Sequence, residues 1–317
     1  MDKIIIMINP KVAIILVNYN SQQDTLECLE SLFRISYPNF KVVLVDNNSK
    51  DDSAKIIRQR FGAKVKIIEN SKNLGFAEGN NVGVRWALKN NADYVMLLNN
   101  DTIVNPSFLD ILIKNVQNKP QFEVFSPQIR MYPDKNRLWY AGGRMMPFLG
   151  SVQMFNRGAK ISNAKLKKPS EITFITGAAM LISALLFKKV GFLDKKYFLY
   201  WEETDWEARA LRAGVKFLYV PDAVIWHKIS QSTGGAANPK MQYYFYRNNL
   251  LFAKKNLVFY WWPTFLLFIF FRILFFEIGL GLIQYLFGKR TRFLGLKYLC
   301  RGILDFFSGK FGATKLE

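Results

Sequence analysis

Between Val12 and about residue 126 the chain alternates short apolar runs with helix-like segments, and this constrains its fold more than any other feature. VAIILV (12–17), KVVLVD (41–46), VKIIE (65–69) and YVMLLN (94–99) are rich in β-branched residues. Such runs form strands buried on both faces. The intervening stretches 22–35, 51–61 and 76–90 have helical composition, and Ser21 followed by Asp24 gives a capping-box signal for the first. The spacing predicts an α/β fold, a Rossmann-like, mostly parallel sheet with flanking helices. Ligands of such sheets sit outside the carboxyl ends of the strands.

Those ends are polar: NYNS (18–21), DNNSKDDS (46–53), NSKNLGFAEGNN (70–81) and NNDT (99–102). Turn chemistry alone accounts for any one of them. Four together predict one polar crevice. Residues 127–172 read as an irregular, basic insertion. FITGAAMLI (174–182) resumes strand character, a helix is expected from near Glu202 to Gly214, and VKFLYV (215–220) with AVIWH (223–227) read as a closing strand pair.

The last ~60 residues differ in kind. Residues 257–287 are almost wholly apolar, interrupted by Pro263, Arg272 and Glu277. That is long enough to cross a bilayer once. Lys254 and Lys255 precede the run, and Lys289, Arg290, Arg292, Lys297 and Arg301 follow it. Basic flanks on both sides sit badly with one crossing. A re-entrant hairpin, or helices lying in the interface with Tyr260, Trp261 and Trp262 at headgroup depth, fits better, with a very apolar core helix or dimer interface as the bland alternative. Residues 1–250 and 251–317 are therefore expected to form a main domain and a membrane-associated helical region. A net charge of +20 calls for an anionic partner or surface. Cys28 and Cys300 are too far apart in sequence to suggest a zinc motif, and a reducing compartment is the default. Asn9-Pro10 interrupts the first apolar run, so no secretory signal is expected.

Group transfer from a nucleoside diphosphate requires a nucleotide site, neutralisation of the departing diphosphate, and a base for the acceptor hydroxyl. Asp46 could accept hydrogen bonds from a ribose or base edge; an Asx turn or helix cap explains it equally. Asp101 ends an apolar strand, where a carboxylate can hold Mg²⁺ or Mn²⁺ together with substrate phosphates. His227, the single histidine, could supply an imidazole to the metal or serve structure only. Glu202 and Glu203, with Asp205 close behind, begin a helix, where acids complement the dipole. Near Tyr197, Tyr200, Trp201 and Trp206 they could equally provide a general base.

VAIILVNYN, VDNNSKDDS, NLGFAEGNN, LLNNDT, FITGAAMLI and YWEETDWEARALRAG, with the late His227, follow one another as in the family-2 inverting glycosyltransferases. Over roughly residues 12–250 the chain resembles the rhamnosyltransferase-like branch that builds bacterial or archaeal surface polysaccharides. The resemblance implies a GT-A fold, a nucleotide-sugar donor, a Mg²⁺ or Mn²⁺ ion and inversion at the anomeric carbon. By it, the backbone at Val17, Asn18 and Tyr19 and the side chain of Asp46 contact the nucleotide. Asn73, Gly75 and Asn80 line the nucleotide and sugar crevice, and Gly177 and Ala178 border sugar and acceptor. Asp101 is the metal ligand with His227 assisting, Arg247 of YRNN lies near the phosphates, and Asn100, Trp201 and Asp205 complete the substrate-binding set. Glu203 takes the usual position of the base. The chain departs from the pattern twice. Asn99 replaces the first acid of the DxD-like motif, and Glu203 stands where Asp is usual, which leaves Glu202 as the other candidate base.

The expected acceptor is a glycan or a sugar carried on a polyprenyl diphosphate, at the cytoplasmic face of the cell membrane, in polysaccharide or cell-wall biosynthesis. Homo-oligomerisation is left open. A nucleotidyltransferase would show a Gly-rich, basic loop after the first strand, where this chain has NYNSQQD. A nucleic-acid-binding protein would explain the charge but neither the apolar tail nor the clustered acids; no nucleic acid partner is expected. An inactive membrane scaffold would bind lipid without turnover.

Overall fold

The computed structural model describes residues 9–163, 168–228, 238–287 and 291–316. The apolar N-terminal run, Lys289 and Arg290 fall outside the described residues, as does the side chain of Arg292. The first half alternates as expected: β1 (Val12–Asn18), α1 (Gln22–Leu32), β2 (Phe40–Asp46), α2 (Ser53–Phe61), β3 (Val65–Glu69), α3 (Gly75–Lys89) and β4 (Tyr94–Leu98). There follow β5 (Thr102–Val104), α4 (Phe108–Asn118), β6 (Val124–Met131), β7 (Leu138–Tyr140), β8 (Gly143–Met146), β9 (Ser151–Met154), β10 (Ser170–Ile172) and β11 (Ala179–Ser183). Then come α5 (Leu186–Lys189), α6 (Glu202–Arg212), β12 (Phe217–His227) and α7 (Lys240–Asn256).

The main sheet runs β10-β12-β6-β11-β4-β1-β2-β3, with β5 paired to β12 and β7 to β6. β1 to β4 are mutually parallel, β6 and β12 are parallel to each other, and β11 runs antiparallel between β4 and β6. The carboxyl ends of β1, β2, β4 and β12 and the entry to β11 therefore share one edge. β1 and β2 are buried almost throughout, the state their unbroken apolar runs call for.

Three expectations change. The stretch 127–172 is not an irregular insertion. It completes β6 and supplies β7 to β10, and Leu138, Trp139, Tyr140 and Ala141 are buried. Its strands are mostly three or four residues long, too short to display a period. The expected closing pair is a single strand, β12, whose register against β6 shifts between Val220 and Val224. Pro221 lies in that interval, where its missing N–H interrupts the ladder. Ser21 makes no side-chain cap on α1; Asp24 instead binds Lys228 at 2.9 Å.

The apolar run becomes a long helix, Phe259–Leu286, that contains α8 (Trp262–Arg272), a π-helical stretch (Ile273–Gly279) and α9 (Leu280–Leu286). One side packs on α7: Phe265 and Ile269 are buried with Leu250 and Ala253, and Tyr246 donates to Glu277 at 3.1 Å. The other side exposes Leu266, Phe270, Phe271, Phe275 and Phe276. α10 (Thr291–Phe307) returns onto α7, where Gly302 sits against the Tyr243 carbonyl with no room for a Cβ. Residue 250 falls inside α7, so one helix runs through the expected domain boundary. Cys28 is buried and Cys300 exposed, both as free thiols.

Candidate active site

A cavity of ≈ 360 Å³ opens at the shared strand edge. Its wall holds Val17, Tyr19, Asn73, Gly75, Asn100, Asp101, Gly177, Ala178, Glu202, Glu203 and His227, all expected there. Asn47, Phe76, Trp139, Met154, Thr176, Phe198, Leu199 and Tyr200 complete the wall with Leu98 and Asn99.

Strand register brings the first pair together. β5 pairs with β12 so that Thr102 stands opposite His227, and Lys228 N–H donates to the Asp101 carbonyl at 3.0 Å. His227 Nε2 consequently lies 2.9 Å from Asp101 Oδ1, both side chains being buried. Trp139 meets the imidazole edge-on at a centroid distance of 4.6 Å. Asn99 Oδ1 and His227 Nδ1 are buried without a hydrogen-bond partner among the described residues.

α6 supplies the second pair. Burial, and then the neighbouring Glu203 charge, push the Glu202 carboxyl well above the ordinary carboxylate range. Burial raises Glu203 too, although backbone N–H groups at Glu203, Gly177 and Thr204 offset part of that effect. Glu203 is the more exposed of the two. Behind them Glu207 accepts the Ile175 N–H at 2.7 Å and is likewise driven well upward, by burial and then by Glu203. Two adjacent buried carboxyls that oppose each other's ionisation tend to share one proton.

The segment leading into α6 is strained. Phe198, Tyr200 and Trp201 have φ of 65°, 68° and 75°, each costing about 1–2 kcal/mol for a residue with a side chain. Gly75, at φ 76°, opens α3 directly beneath it; an added Cβ would strike the Phe198 carbonyl. Phe76 N–H donates to that carbonyl at 2.7 Å.

Six expected residues do not line the cavity. Asn18 and Asp46 form a buried network below it: Asn18 Nδ2 donates to Asp46 Oδ1 at 2.8 Å, and Asp46 also accepts the Ser49 N–H at 2.9 Å. Asp46 thus caps the backbone turn that follows β2. Asn80 donates to the Phe76 carbonyl within its own helix. Trp201 packs on Phe252 and Phe245. Asp205 binds Tyr197, Arg209, Lys255 and Asn256. Arg247 is fully buried and donates to the Gly312 and Tyr197 carbonyls, so its charge is not directed at the crevice. Among the residues that sequence reasoning missed, Trp139 and Met154 lie in the stretch expected to be irregular and gave no signal. Phe198 did, through its position next to the Glu pair.

Asp101, Glu202 and Glu203 face this cavity, and its wall contains no lysine or arginine among the described residues. A diphosphate entering it would meet carboxylates unless a cation came with it. No three His, Cys, Asp or Glu side chains cluster tightly enough to hold a metal alone among the described residues. Asp101 and His227 suit the other arrangement, in which a few protein ligands share a divalent ion with substrate phosphates.

The family model for Glycosyl transferase family 2 matches residues 13–191. The chain is 26% identical over 244 residues to N-acetylglucosaminyl-diphospho-decaprenol L-rhamnosyltransferase of Mycobacterium tuberculosis, covering 70% of this chain and 77% of that one. It is 23% identical over 229 residues to dTDP-rhamnosyl transferase RfbF of Shigella flexneri, covering 71% of each. A crystal structure of GalNAc-T7 with UDP, GalNAc and Mn²⁺ superposes with a TM-score of 0.61 at 16% identity over 78% of this chain and 48% of that one. The chain thus spans about half of that structure, and the likeness establishes the GT-A fold.

Proposed function

We propose that this chain, which belongs to glycosyl transferase family 2, moves a sugar from a nucleoside-diphosphate donor to an acceptor hydroxyl with inversion, in the synthesis of a surface glycan. The observation that carries the reading is that the wall of one cavity holds both the Asp101–His227 pair and the Glu202–Glu203 pair. A donor laid across it would have its diphosphate at the first pair and its anomeric carbon toward the second.

Glu203 is the base we favour, because it is the more exposed carboxyl and its raised affinity for a proton makes it a stronger one. It removes the proton from the acceptor hydroxyl. The oxygen then forms its bond to the anomeric carbon as the bond from that carbon to the diphosphate oxygen breaks, and the electron pair leaves with the diphosphate. Glu202, kept largely protonated by burial, adds no second negative charge beside it. Asp101 and His227 would hold Mg²⁺ or Mn²⁺, which would supply positive charge against that developing on the leaving group. Asn47, Tyr19 and Val17 would border the nucleotide, with Asn73 and Gly75 next to them.

The relatives named above support a lipid-linked or polysaccharide acceptor and admit a rhamnose-like donor. The long apolar helix supports a site of action at a membrane surface, and the basic residues that flank it support the cytoplasmic leaflet. The helix lies along α7 from Phe265 to Glu277, which suits immersion of its exposed side in the interface better than departure from the domain across a bilayer.

The test is nucleotide release by the full chain in lipid vesicles, with a panel of nucleoside-diphosphate sugars, with and without a polyprenyl-diphosphate-linked sugar. One donor should give acceptor-dependent release. No release with any pair would overturn the assignment.

A further inference from the structure

The motif Tyr246-Arg247-Asn248-Asn249 lies outside the cavity, yet each of its side chains ties α7 to another part of the molecule. Tyr246 reaches Glu277 of the long helix at 3.1 Å, and Asn249 Nδ2 donates to the Gly150 carbonyl at 2.9 Å. Arg247 donates to Gly312 of the C-terminal tail at 2.9 Å and to Tyr197 at 3.1 Å. The NH₂ of Asn248 is given wholly to the segment before α6. Its Nδ2 faces the carbonyls of Tyr197 at 2.7 Å, Leu199 at 2.8 Å and Tyr200 at 3.1 Å.

Those carbonyls belong to the segment in which Phe198, Tyr200 and Trp201 are left-handed. Residues with side chains leave that conformation readily unless neighbours fix it. Carbonyls converging on one point need a donor at the centre, and an amide NH₂ is the neutral side-chain group that offers two protons from one atom. Asn248 has no exposed surface, so water cannot substitute for it. Its own Oδ1 accepts from Arg247 Nε at 2.9 Å, which fixes the direction in which the NH₂ points. Glu202 and Glu203 are the next residues along the chain.

We infer that Asn248 is a positioning residue for the sugar-transfer reaction: it holds the 197–201 segment in its left-handed form and thereby sets where the Glu203 carboxyl meets the acceptor, with Arg247 orienting Asn248. The inference rests on the proposed function, because it supposes that Glu203 acts on an acceptor. It assigns Arg247 a purpose that its distance from the crevice left open.

The experiment compares Asn248→Ala and Asn248→Ser in the full chain. Serine retains one proton to donate and alanine none. Backbone hydrogen exchange of peptides covering 197–205 is measured by mass spectrometry, and kcat and donor KM by nucleotide release. Exchange over 197–205 should rise in the order wild type, Ser, Ala. Because displacing a catalytic group by about 1 Å costs ~100-fold in rate, kcat should fall by roughly 10- to 100-fold in Ala and less in Ser, with donor KM changed by less than about threefold. Wild-type kcat in both variants, or equal losses in kcat and donor affinity, would overturn the inference. So would faster exchange across the whole chain rather than in this segment. If wild type turns over no donor, the proposed function fails, whereas the exchange measurement still judges the staple.

Discussion

Asp101 and His227 face each other at 2.9 Å although they stand 126 positions apart in the chain, because β5 and β12 are registered with Thr102 opposite His227. Neither residue could be placed beside the other by spacing alone. Once together they form a buried oxygen–nitrogen pair next to Asn99, the position from which an acid is missing.

Metal removal should therefore stop turnover. EDTA is expected to abolish nucleotide release, and Mg²⁺ or Mn²⁺ to restore it. Asp101→Ala should lower kcat by about 10²–10³-fold, the scale of losing one electrostatic stabiliser of the leaving group, while circular dichroism stays unchanged. Full activity in Asp101→Ala would sink the metal assignment.

Substitution of the adjacent carboxyls should separate their roles. Glu203→Gln should cost ~10²–10⁴-fold in kcat, the usual contribution of a general base. Glu202→Gln should cost far less and leave the acidic limb of the pH profile in place. The base acts when deprotonated, so kcat falls as pH drops through its raised value. Glu202 is largely protonated where Glu203 titrates, so replacing it with an uncharged amide should not move that limb. Comparison of kcat–pH profiles checks both, and an inactive Glu202→Gln beside an active Glu203→Gln would exchange the assignments.

Glu207 offers a stability test. Its folded-state value lies well above the ordinary 4.5, so between 4.5 and that value the folded chain binds more protons than the unfolded chain. Stability from this group is complete below 4.5 and declines as pH rises through the window. Glu207→Gln removes the ionisable group and keeps an acceptor for the Ile175 N–H. Its Tm at pH 8 should equal or exceed that of wild type, with a flatter dependence on pH. A Tm well below wild type at pH 8 would show that the carboxyl is ionised and favourable there.

Polar substitution of the exposed face should release the chain from lipid. Phe271→Asp combined with Phe275→Asp alters a stacked pair that faces outward and leaves Phe265, Ile269 and Glu277 in their contacts with α7. Sedimentation with anionic vesicles should fall at least ~10-fold, given about 1.5–3 kcal/mol per buried aromatic. Unchanged sedimentation would contradict interfacial immersion.

The sequence made the parallel half of the fold legible, because β1 and β2 carry the long apolar runs of buried strands and β3 and β4 follow at the same strand–helix spacing. It also made Asp101, Glu202 and Glu203 legible as candidates, since acids at strand and helix ends of an α/β sheet converge. The short strands β7 to β10 were hidden because three or four residues cannot show a period, and Trp139 was lost with them. Asp205 and Arg247 misled for a different reason. A charged residue near a motif looks the same in sequence whether it meets substrate or is buried among partners, as both of these are.

The two thiols have a practical consequence. Cys28 is enclosed next to Asn99 and Thr102, and burial pushes its thiol up to about 12, so it stays protonated and shielded from electrophiles at neutral pH. Cys300 stands exposed on α10, the helix that returns from the apolar run. The natural chain therefore carries a single exposed thiol, on the helix that follows the apolar run, and a maleimide fluorophore placed there would report by quenching whether that helix meets lipid, without any engineered residue.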